Sequence, residues 1–189
     1  MRSNIFHAFL IILIQFSFVQ LFGQKTSVRP DSWASKVEAC NLHNLYKLND
    51  SIYRSDQPDK AMFACLVKTG IRGVLNLRSH HLDSGLVEGS PIRLYTVEMV
   101  ANKFTDQEII ESLRILKSGT KPILVHCLHG SDRTGVVIAM YRIVFENWTR
   151  EQALDELQNG GYGFHKQYAN IVAYIKNVST ELIKSKVLK

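Results

Sequence analysis

Residues 126–135 read His-Cys-Leu-His-Gly-Ser-Asp-Arg-Thr-Gly and join two apolar runs of different length. The run before them, 122–125 (Pro-Ile-Leu-Val), is short and β-branched, which predicts a strand buried on both faces. The run after them, 136–145, is too long for a buried strand and predicts a helix that begins at Arg133 or Thr134. The stretch is therefore predicted to be a loop between a strand and the N-terminus of a helix.

The position of this loop predicts an anion-binding site. The first N–H groups of a helix have no partner within the helix, and the helix dipole places partial positive charge at the same end. Cys127 lies at the mouth of the loop, where such a field favours the nucleophilic thiolate form of a cysteine. Arg133 can bind two phosphate oxygens through its planar guanidinium group, and Gly130 permits a backbone conformation that a Cβ would obstruct.

The loop resembles the signature of the cysteine-dependent protein tyrosine phosphatase superfamily, in which five residues separate His-Cys from Arg-Ser/Thr. The residues that match this signature are His126, Cys127, Gly130, Arg133, Thr134 and Gly135. A second stretch, 53–58 (Tyr-Arg-Ser-Asp-Gln-Pro), is similar to the compact, atypical dual-specificity branch, so the resemblance covers residues 45–174. It implies a single-domain α/β fold with a mostly parallel central sheet flanked by helices and a phosphate-binding loop between a strand and a helix.

The resemblance also implies a role for each residue of the loop. Cys127 attacks phosphorus to form a phosphocysteine intermediate, and no metal or other cofactor takes part. The phosphoryl oxygens bind to the guanidinium of Arg133 and to the backbone N–H groups of the loop, which belong to Leu128, His129, Gly130, Ser131, Asp132 and Arg133. His126 hydrogen-bonds the loop and helps to keep the thiolate, and Thr134 supplies a hydroxyl to the sulfur as the intermediate breaks.

The sequence leaves the general acid open. Related enzymes carry an aspartate on the loop after the strand that is predicted here at 92–99, and this chain has no acid at the matching place. Three carboxyl groups are candidates, in the order Asp132, Asp106 and Glu98. Asp132 lies beside Arg133, as in lipid phosphatases of the myotubularin type. Asp106 is also explained as a favourable charge in the first turn of a helix, and Glu98 as the partner of a neighbouring base.

The loop and the composition also bear on the substrate. The loop has no lysine or second arginine, and Asp132 would repel additional phosphates, which favours phosphotyrosine or dual-specificity protein substrates over phosphoinositides or inositol phosphates. The net charge of +6 suits anionic phosphomonoesters, but the lysines are scattered, so we expect no nucleic-acid partner. A catalytically inactive phosphate-binding module and a rhodanese-type sulfurtransferase are the alternatives; the loop of a sulfurtransferase typically closes earlier.

The N-terminus differs in composition from the rest of the chain. Arg2 precedes an apolar stretch, 5–22, and no acidic residue occurs before Asp31. This layout predicts a secretory signal peptide over 1–24, with an uncleaved membrane anchor as the alternative. We therefore expect a periplasmic or secreted enzyme that is attached to a membrane only if the segment is uncleaved. A leader, 25–44, and the phosphatase domain, 45–189, would follow.

The sequence leaves open whether Cys40 and Cys65 are bridged, and it predicts no metal site at His80 and His81. Export would leave one of the three cysteines unpaired, so Cys40 and Cys65 either form a disulfide or are both packed as thiols. His80 and His81 have no companion ligands at a usable spacing, so no metal site is expected there.

Hydrophobic periodicity and capping signals predict the other elements. They are a hairpin over 45–54, a helix from Pro58 to Gly70, strands 71–77 and 92–99, a helix from the capping box at Thr105 to Lys117, a helix from the capping box at Thr149, and one last helix from about Gln167 through Ile183. Arg78, at a strand end, either assists anion binding or is an ordinary surface arginine. Tyr162, Phe164 and His165 either rim the active site or form a packed turn.

Overall fold

The computed structural model describes residues 29–189, so the predicted signal peptide lies outside the described residues. The strands are β1 (Ser35–Lys36), β2 (Tyr46–Lys47), β3 (Ile52–Ser55), β4 (Gly73–Arg78), β5 (Arg93–Met99) and β6 (Ile123–His126). The helices are α1 (Lys60–Lys68), α2 (Asp106–Ser118), α3 (Arg133–Phe145), α4 (Arg150–Asn159), α5 (Ala169–Asn177) and α6 (Thr180–Leu188). None of these helices is long and apolar enough to cross a lipid bilayer.

The six strands form one sheet in the order β1-β2-β3-β6-β4-β5. The strands β3, β6, β4 and β5 run parallel, whereas β1 and β2 add an antiparallel edge. Every residue of β6 is buried, as the short β-branched run predicts for a central strand. The predicted mostly parallel sheet is thereby confirmed.

Helices cover both faces of the sheet. The larger core lies under α2 to α6 and contains the inward side chains of β6 together with nearly all of α3. The smaller core, on the other face, packs α1 against β4 and the segment before β2. The parallel strands therefore end at one shared edge, where the turn into α3 begins, and this is the edge at which α/β sheets bind ligands.

Part of the predicted leader, 25–44, packs as a piece of this domain. Its strand β1 pairs with β2, and the side chains of Ala34 and Leu42 are buried. Cys40 and Cys65 form a disulfide with their Cα atoms 5.3 Å apart. Of the two arrangements that the sequence left open for these cysteines, the structure has the bridged one, because α1 packs beside the leader.

The last predicted helix is two helices, and the prediction of one continuous helix is wrong. The backbone of Val178 is extended, and the hydroxyl of Ser179 accepts a hydrogen bond from the N–H of Leu182 at 3.3 Å, which begins α6. Ile175 and Ile183 are both fully buried on either side of this break. The apolar spacing therefore continues across the break, and for that reason periodicity alone does not reveal it.

Candidate active site

The loop between β6 and α3, residues 127–132, which we call the phosphate loop, lies against the end of β3. Gly130 has a φ of +68°, and a Cβ at this position would collide with the carbonyl of Ser55 and lie 2.7 Å from the backbone nitrogen of Asp56. A side chain at position 130 would therefore force the loop away from β3.

Donors outside the phosphate loop bind three of its carbonyl groups. The N–H of Gln57 donates to the carbonyl of Leu128 at 3.2 Å. The amide of Asn44 donates to the carbonyl of His129 at 2.8 Å, and the guanidinium of Arg54 donates to that of Gly130 at 2.6 Å. Because a peptide N–H points away from the carbonyl of the same peptide group, holding these carbonyls on one side leaves the N–H groups on the other side available to an anion.

Arg54 supports the loop from inside the protein. Its guanidinium is fully buried and lies 3.6 Å from the ring centroid of Tyr162. Burial lowers the pKa of Arg54, although the nearby Tyr162, Glu156 and Cys127 act in the opposite direction. The sequence analysis missed this role. The only signal for it in the sequence was a charged residue at an inward-facing position of a short strand.

The structure places Cys127, Arg133 and Thr134 together at the N-terminus of α3. The Cys127 thiol is unpaired and buried. Arg133 is the first residue of α3, is half-buried, and donates to the carbonyl of Met99 at the end of β5 at 3.4 Å. The hydroxyl of Thr134 is buried and has no hydrogen-bond partner among residues 29–189. A hydroxyl in this position is available to a sulfur atom at the mouth of the loop.

His126 is oriented by a residue that the sequence analysis missed. Its Nε2 donates to a carboxylate oxygen of Asp83 at 2.8 Å, and both side chains are buried. Burial acts to raise the pKa of Asp83, but the hydrogen bonds from His126 and Gln57 outweigh burial and keep that pKa below its ordinary value. Asp83 lies 43 positions before His126, so no local pattern links the two residues.

Of the three candidate acids, only Asp132 lies in the phosphate loop. Both of its carboxylate oxygens bind His165, one to the backbone N–H at 3.0 Å and the other to Nδ1 at 2.8 Å. Asp106 is exposed in the first turn of α2 and accepts a hydrogen bond from the hydroxyl of Tyr174 at 2.8 Å. Glu98 is exposed on the edge strand β5. Asp106 and Glu98 therefore have surface positions outside the loop.

The remaining residues singled out in the sequence surround the loop without entering it. Arg78 donates to the side-chain oxygen of Gln57 at 3.1 Å, and Gln57 in turn contacts Asp83. Tyr162 is buried, and its carbonyl accepts the hydroxyl of Ser131 at 2.7 Å, so it belongs to a packed turn. His165 is exposed, and its contact with Asp132 places it beside the loop.

Exposed apolar side chains neighbour residues of the site along the chain. Three of the most exposed large apolar side chains, Leu82, Val100 and Leu128, lie next to residues of the site. Leu128 is part of the phosphate loop, Leu82 adjoins Asp83, and Val100 follows Met99, whose carbonyl binds Arg133.

A cysteine and an arginine that flank an anion-binding turn, between the central strand of a parallel sheet and a buried helix, define the class of cysteine-dependent phosphatases. The sequence model of the tyrosine phosphatase family matches residues 41–189. The chain belongs to this family, and the resemblance inferred from the loop is confirmed.

Individual relatives agree with this assignment. The chain is 30% identical over 161 residues to the dual specificity protein phosphatase TpbA of Pseudomonas aeruginosa, which covers 84% of this chain and 72% of that protein. The crystal structure of TpbA superposes with a TM-score of 0.77 over 86% of this chain and 100% of that chain, at 29% identity. The catalytic core of the PP-IP phosphatase SIW14 from S. cerevisiae superposes with a TM-score of 0.67 over 76% of this chain and 90% of that one, at 26% identity.

Proposed function

We propose that this phosphatase hydrolyses phosphotyrosine in proteins, and related phosphomonoesters, through a phosphocysteine intermediate on Cys127. The observation that carries the proposal is the phosphate loop itself. Its carbonyls are bound from outside by Gln57, Asn44 and Arg54, which leaves its N–H groups on the other side of a loop that begins at the buried Cys127 thiol and ends at Arg133. Such a site stabilises the charge that develops on a phosphoryl group as it is transferred.

The chemistry proceeds in two displacements. The Cys127 thiolate attacks phosphorus, the S–P bond forms, and the P–O bond to the leaving group breaks. Water then attacks the phosphocysteine, the S–P bond breaks, and inorganic phosphate leaves. Arg133 and the loop N–H groups bind the phosphoryl oxygens in both steps, and the Thr134 hydroxyl hydrogen-bonds the departing sulfur in the second.

An aromatic phosphoester fits this site better than a polyphosphate. Residues 127–133 contain no lysine and no arginine other than Arg133, and the exposed side chain of Leu128 in the loop offers apolar contact to a tyrosine ring. A variant of TpbA has been crystallised in complex with phosphotyrosine, which supports this choice. The similarity to the PP-IP phosphatase SIW14 supports an inositol phosphate or phosphoinositide as the second candidate substrate.

Phosphate release from three substrate types tests the proposal. We expect the purified protein to act on phosphotyrosyl peptides faster than on phosphoseryl peptides or inositol hexakisphosphate.

Cys127→Ser should abolish turnover, and rapid acid quenching of the unmodified protein should yield a phosphate adduct on the Cys127 peptide by mass spectrometry. Arg133→Met should lower kcat/KM by about 10³-fold, whereas Arg114→Met, on the remote surface of α2, should not. Turnover that survives in Cys127→Ser would refute the mechanism, and a preference for the inositol phosphate would favour the second candidate.

We also propose that the protein is exported. The charged and apolar pattern of residues 1–24 and the Cys40–Cys65 disulfide both support an oxidising compartment. Cell fractionation followed by N-terminal sequencing should find the chain outside the cytoplasm, beginning near Gln24. An intact N-terminus on a membrane-bound protein would indicate the uncleaved anchor, and a cytoplasmic full-length chain would contradict export.

A further inference from the structure

The mechanism above leaves the general acid unassigned, and a carboxyl group not yet considered, that of Asp56, lies beside the phosphate loop. Asp56 directly follows β3, whose last residue, Ser55, pairs with His126 at the end of the parallel strand β6. The N–H of Asp56 donates to the carbonyl of His43 at 3.1 Å, and the next N–H in the chain donates to the carbonyl of Leu128. Asp56 is therefore placed at the sheet edge from which the phosphate loop departs.

Asp56 lines a cavity of about 330 Å³ that adjoins the loop. The lining residues are His43, Asn44, Asp56, His129, Ser131, Tyr162, Gly163 and His165. Of these, His129 and Ser131 belong to the phosphate loop, so the cavity borders the loop that would hold a phosphoester. The cavity is large enough to accept an aryl group, and Asp56 is a carboxyl in its wall.

The hydrogen bonding of Asp56 differs from that of Asp132. The Oδ1 atom of Asp56 is buried and has no hydrogen-bond partner in the part of the chain that the structure describes. Both oxygens of Asp132, in contrast, accept hydrogen bonds from His165. Since a buried carboxylate oxygen without a donor is destabilised, the environment of Asp56 favours the protonated acid.

The charged groups around Asp56 act against this protonation but do not overcome it. His43 from the segment before β2, His126 from β6 and His129 from the loop all face it, and His165 with its partner Asp132 lines the same cavity. Burial raises the pKa of Asp56 to about 6, and its interactions with the three histidines and a backbone hydrogen bond only partly offset that effect. A carboxyl whose pKa lies near the working pH holds a proton and can also release it.

We propose that Asp56 is the general acid of this phosphatase, taking the place of the aspartate that the loop after β5 lacks. This inference rests on the proposed cysteine mechanism. In the first displacement the thiolate forms the S–P bond, the P–O ester bond breaks, and the carboxyl proton of Asp56 passes to the leaving oxygen. In the second, the Asp56 carboxylate takes a proton from the attacking water as the S–P bond breaks, which restores the acid and the thiolate.

The dependence of kcat/KM on the leaving group tests the role of Asp56, because kcat/KM reports the first displacement and not the later hydrolysis of the phosphocysteine that all substrates share. para-Nitrophenolate leaves without protonation, whereas phenolate is a poor leaving group that needs a proton. We expect Asp56→Asn to lower kcat/KM for phenyl phosphate by about 10²–10⁴-fold and kcat/KM for para-nitrophenyl phosphate far less. Asp155→Asn, the same change on the exposed face of α4, should alter neither rate. Asp132→Asn should not show the selective loss on phenyl phosphate.

The pH profile provides a second readout. Since the acid must be protonated in the first displacement, kcat/KM of the unmodified protein on phenyl phosphate should fall as pH rises through about 6, and this decline should be absent in Asp56→Asn. Asp56→Ser is the second variant, and thermal unfolding of both variants excludes misfolding as the cause.

If the unmodified protein is inactive, the proposed function fails. If it turns over with Cys127 dependence while both Asp56 variants keep its leaving-group dependence and pH profile, or if Asp132→Asn alone loses them, the assignment of Asp56 is overturned.

Discussion

At the scale of single residues, the reactive groups are held by side chains from distant parts of the chain. His126 and Cys127 are consecutive, yet the imidazole is oriented by Asp83 from the segment after β4. The carbonyls of the phosphate loop are bound by Asn44, Arg54 and Gln57 from the other side of β6. The loop is therefore held in place by hydrogen bonds from several segments, and changes to these partners should affect catalysis without touching the substrate.

Asp83→Asn tests the support of His126. The change removes the charge that accepts the His126 hydrogen bond, so we expect the free energy of unfolding to fall by about 2 kcal/mol, as for a buried hydrogen bond to a charged group. We also expect kcat/KM to fall by about tenfold, as for other outer-shell partners of a functional histidine. Urea unfolding and steady-state kinetics measure the two effects.

The effect of Asp83→Asn on stability has a defined pH dependence. The pKa of Asp83 in the folded protein lies below its ordinary value of 3.8, so its contribution is fully present above pH 3.8 and is lost as pH falls through the folded-state pKa. The difference in stability between the two proteins should therefore be constant near neutral pH and shrink in acid. Asp50→Asn, at an exposed turn, is the matched control and should have little effect. A difference that grows in acid would contradict this account of Asp83.

At the scale of secondary structure elements, the site depends on how closely the phosphate loop approaches the end of β3. The hydrogen bonds from Arg54 and Gln57 require the loop backbone to lie directly beside Ser55 and Asp56. Only a residue without a Cβ fits at position 130, which also has a positive φ. The geometry of the anion site is thus set by the packing of one loop on one strand end.

A comparison of Gly130→Ala with Gly89→Ala separates the effect of this close approach from the effect of backbone strain. Gly89 has a similar φ, +74°, but no atom lies within 4 Å of where its Cβ would be, whereas a Cβ on Gly130 would meet the backbone of Ser55 and Asp56. Gly89→Ala should cost about 1–2 kcal/mol of stability from strain alone and leave kcat unchanged. Gly130→Ala should cost more and lower kcat/KM by about 10²-fold, because it displaces the anion-binding groups. Equal effects of the two variants in thermal unfolding and kinetics would argue against the close approach.

At the scale of the whole molecule, the segment before β2 connects the disulfide to the active site. Cys40 is bonded to Cys65 in α1, and four residues later Asn44 donates to the carbonyl of His129 in the phosphate loop. The carbonyl of His43 accepts the N–H of Asp56. The disulfide therefore anchors a segment whose far end supports both the loop and the cavity beside it.

Removing the Cys40–Cys65 disulfide should lower global stability. The bridge spans 25 residues, and closing a loop of that length contributes about 3.5 kcal/mol in the chain-entropy model. For a domain of this size that corresponds to a fall in Tm of about 10 °C, measurable by calorimetry. The unmodified protein with reductant and the double variant Cys40→Ser, Cys65→Ser should show the same Tm. If reductant lowers the Tm of the double variant as well, or leaves that of the unmodified protein unchanged, the stabilising role of the bridge is refuted.

Much of the fold could be predicted because its signals are local. The capping boxes at Thr105 and Thr149 begin α2 and α4, and the hairpin of β2 and β3 forms where alternation and a turn predict it. The break between α5 and α6 escaped prediction, because buried residues keep the helical spacing on both sides of Val178.

The sequence by itself determined that residues 126–135 form a loop between a strand and a helix, because these features depend on neighbours along the chain. Through this loop it also determined the family and the class of chemistry. Only the tertiary structure decided that Cys40 bonds to Cys65, that Asp83 orients His126, and that Asp56 lines the cavity beside the loop. The physical reason is that these contacts join segments far apart in sequence. The segments come together only when β3, β6 and β4 pair side by side in the middle of the sheet.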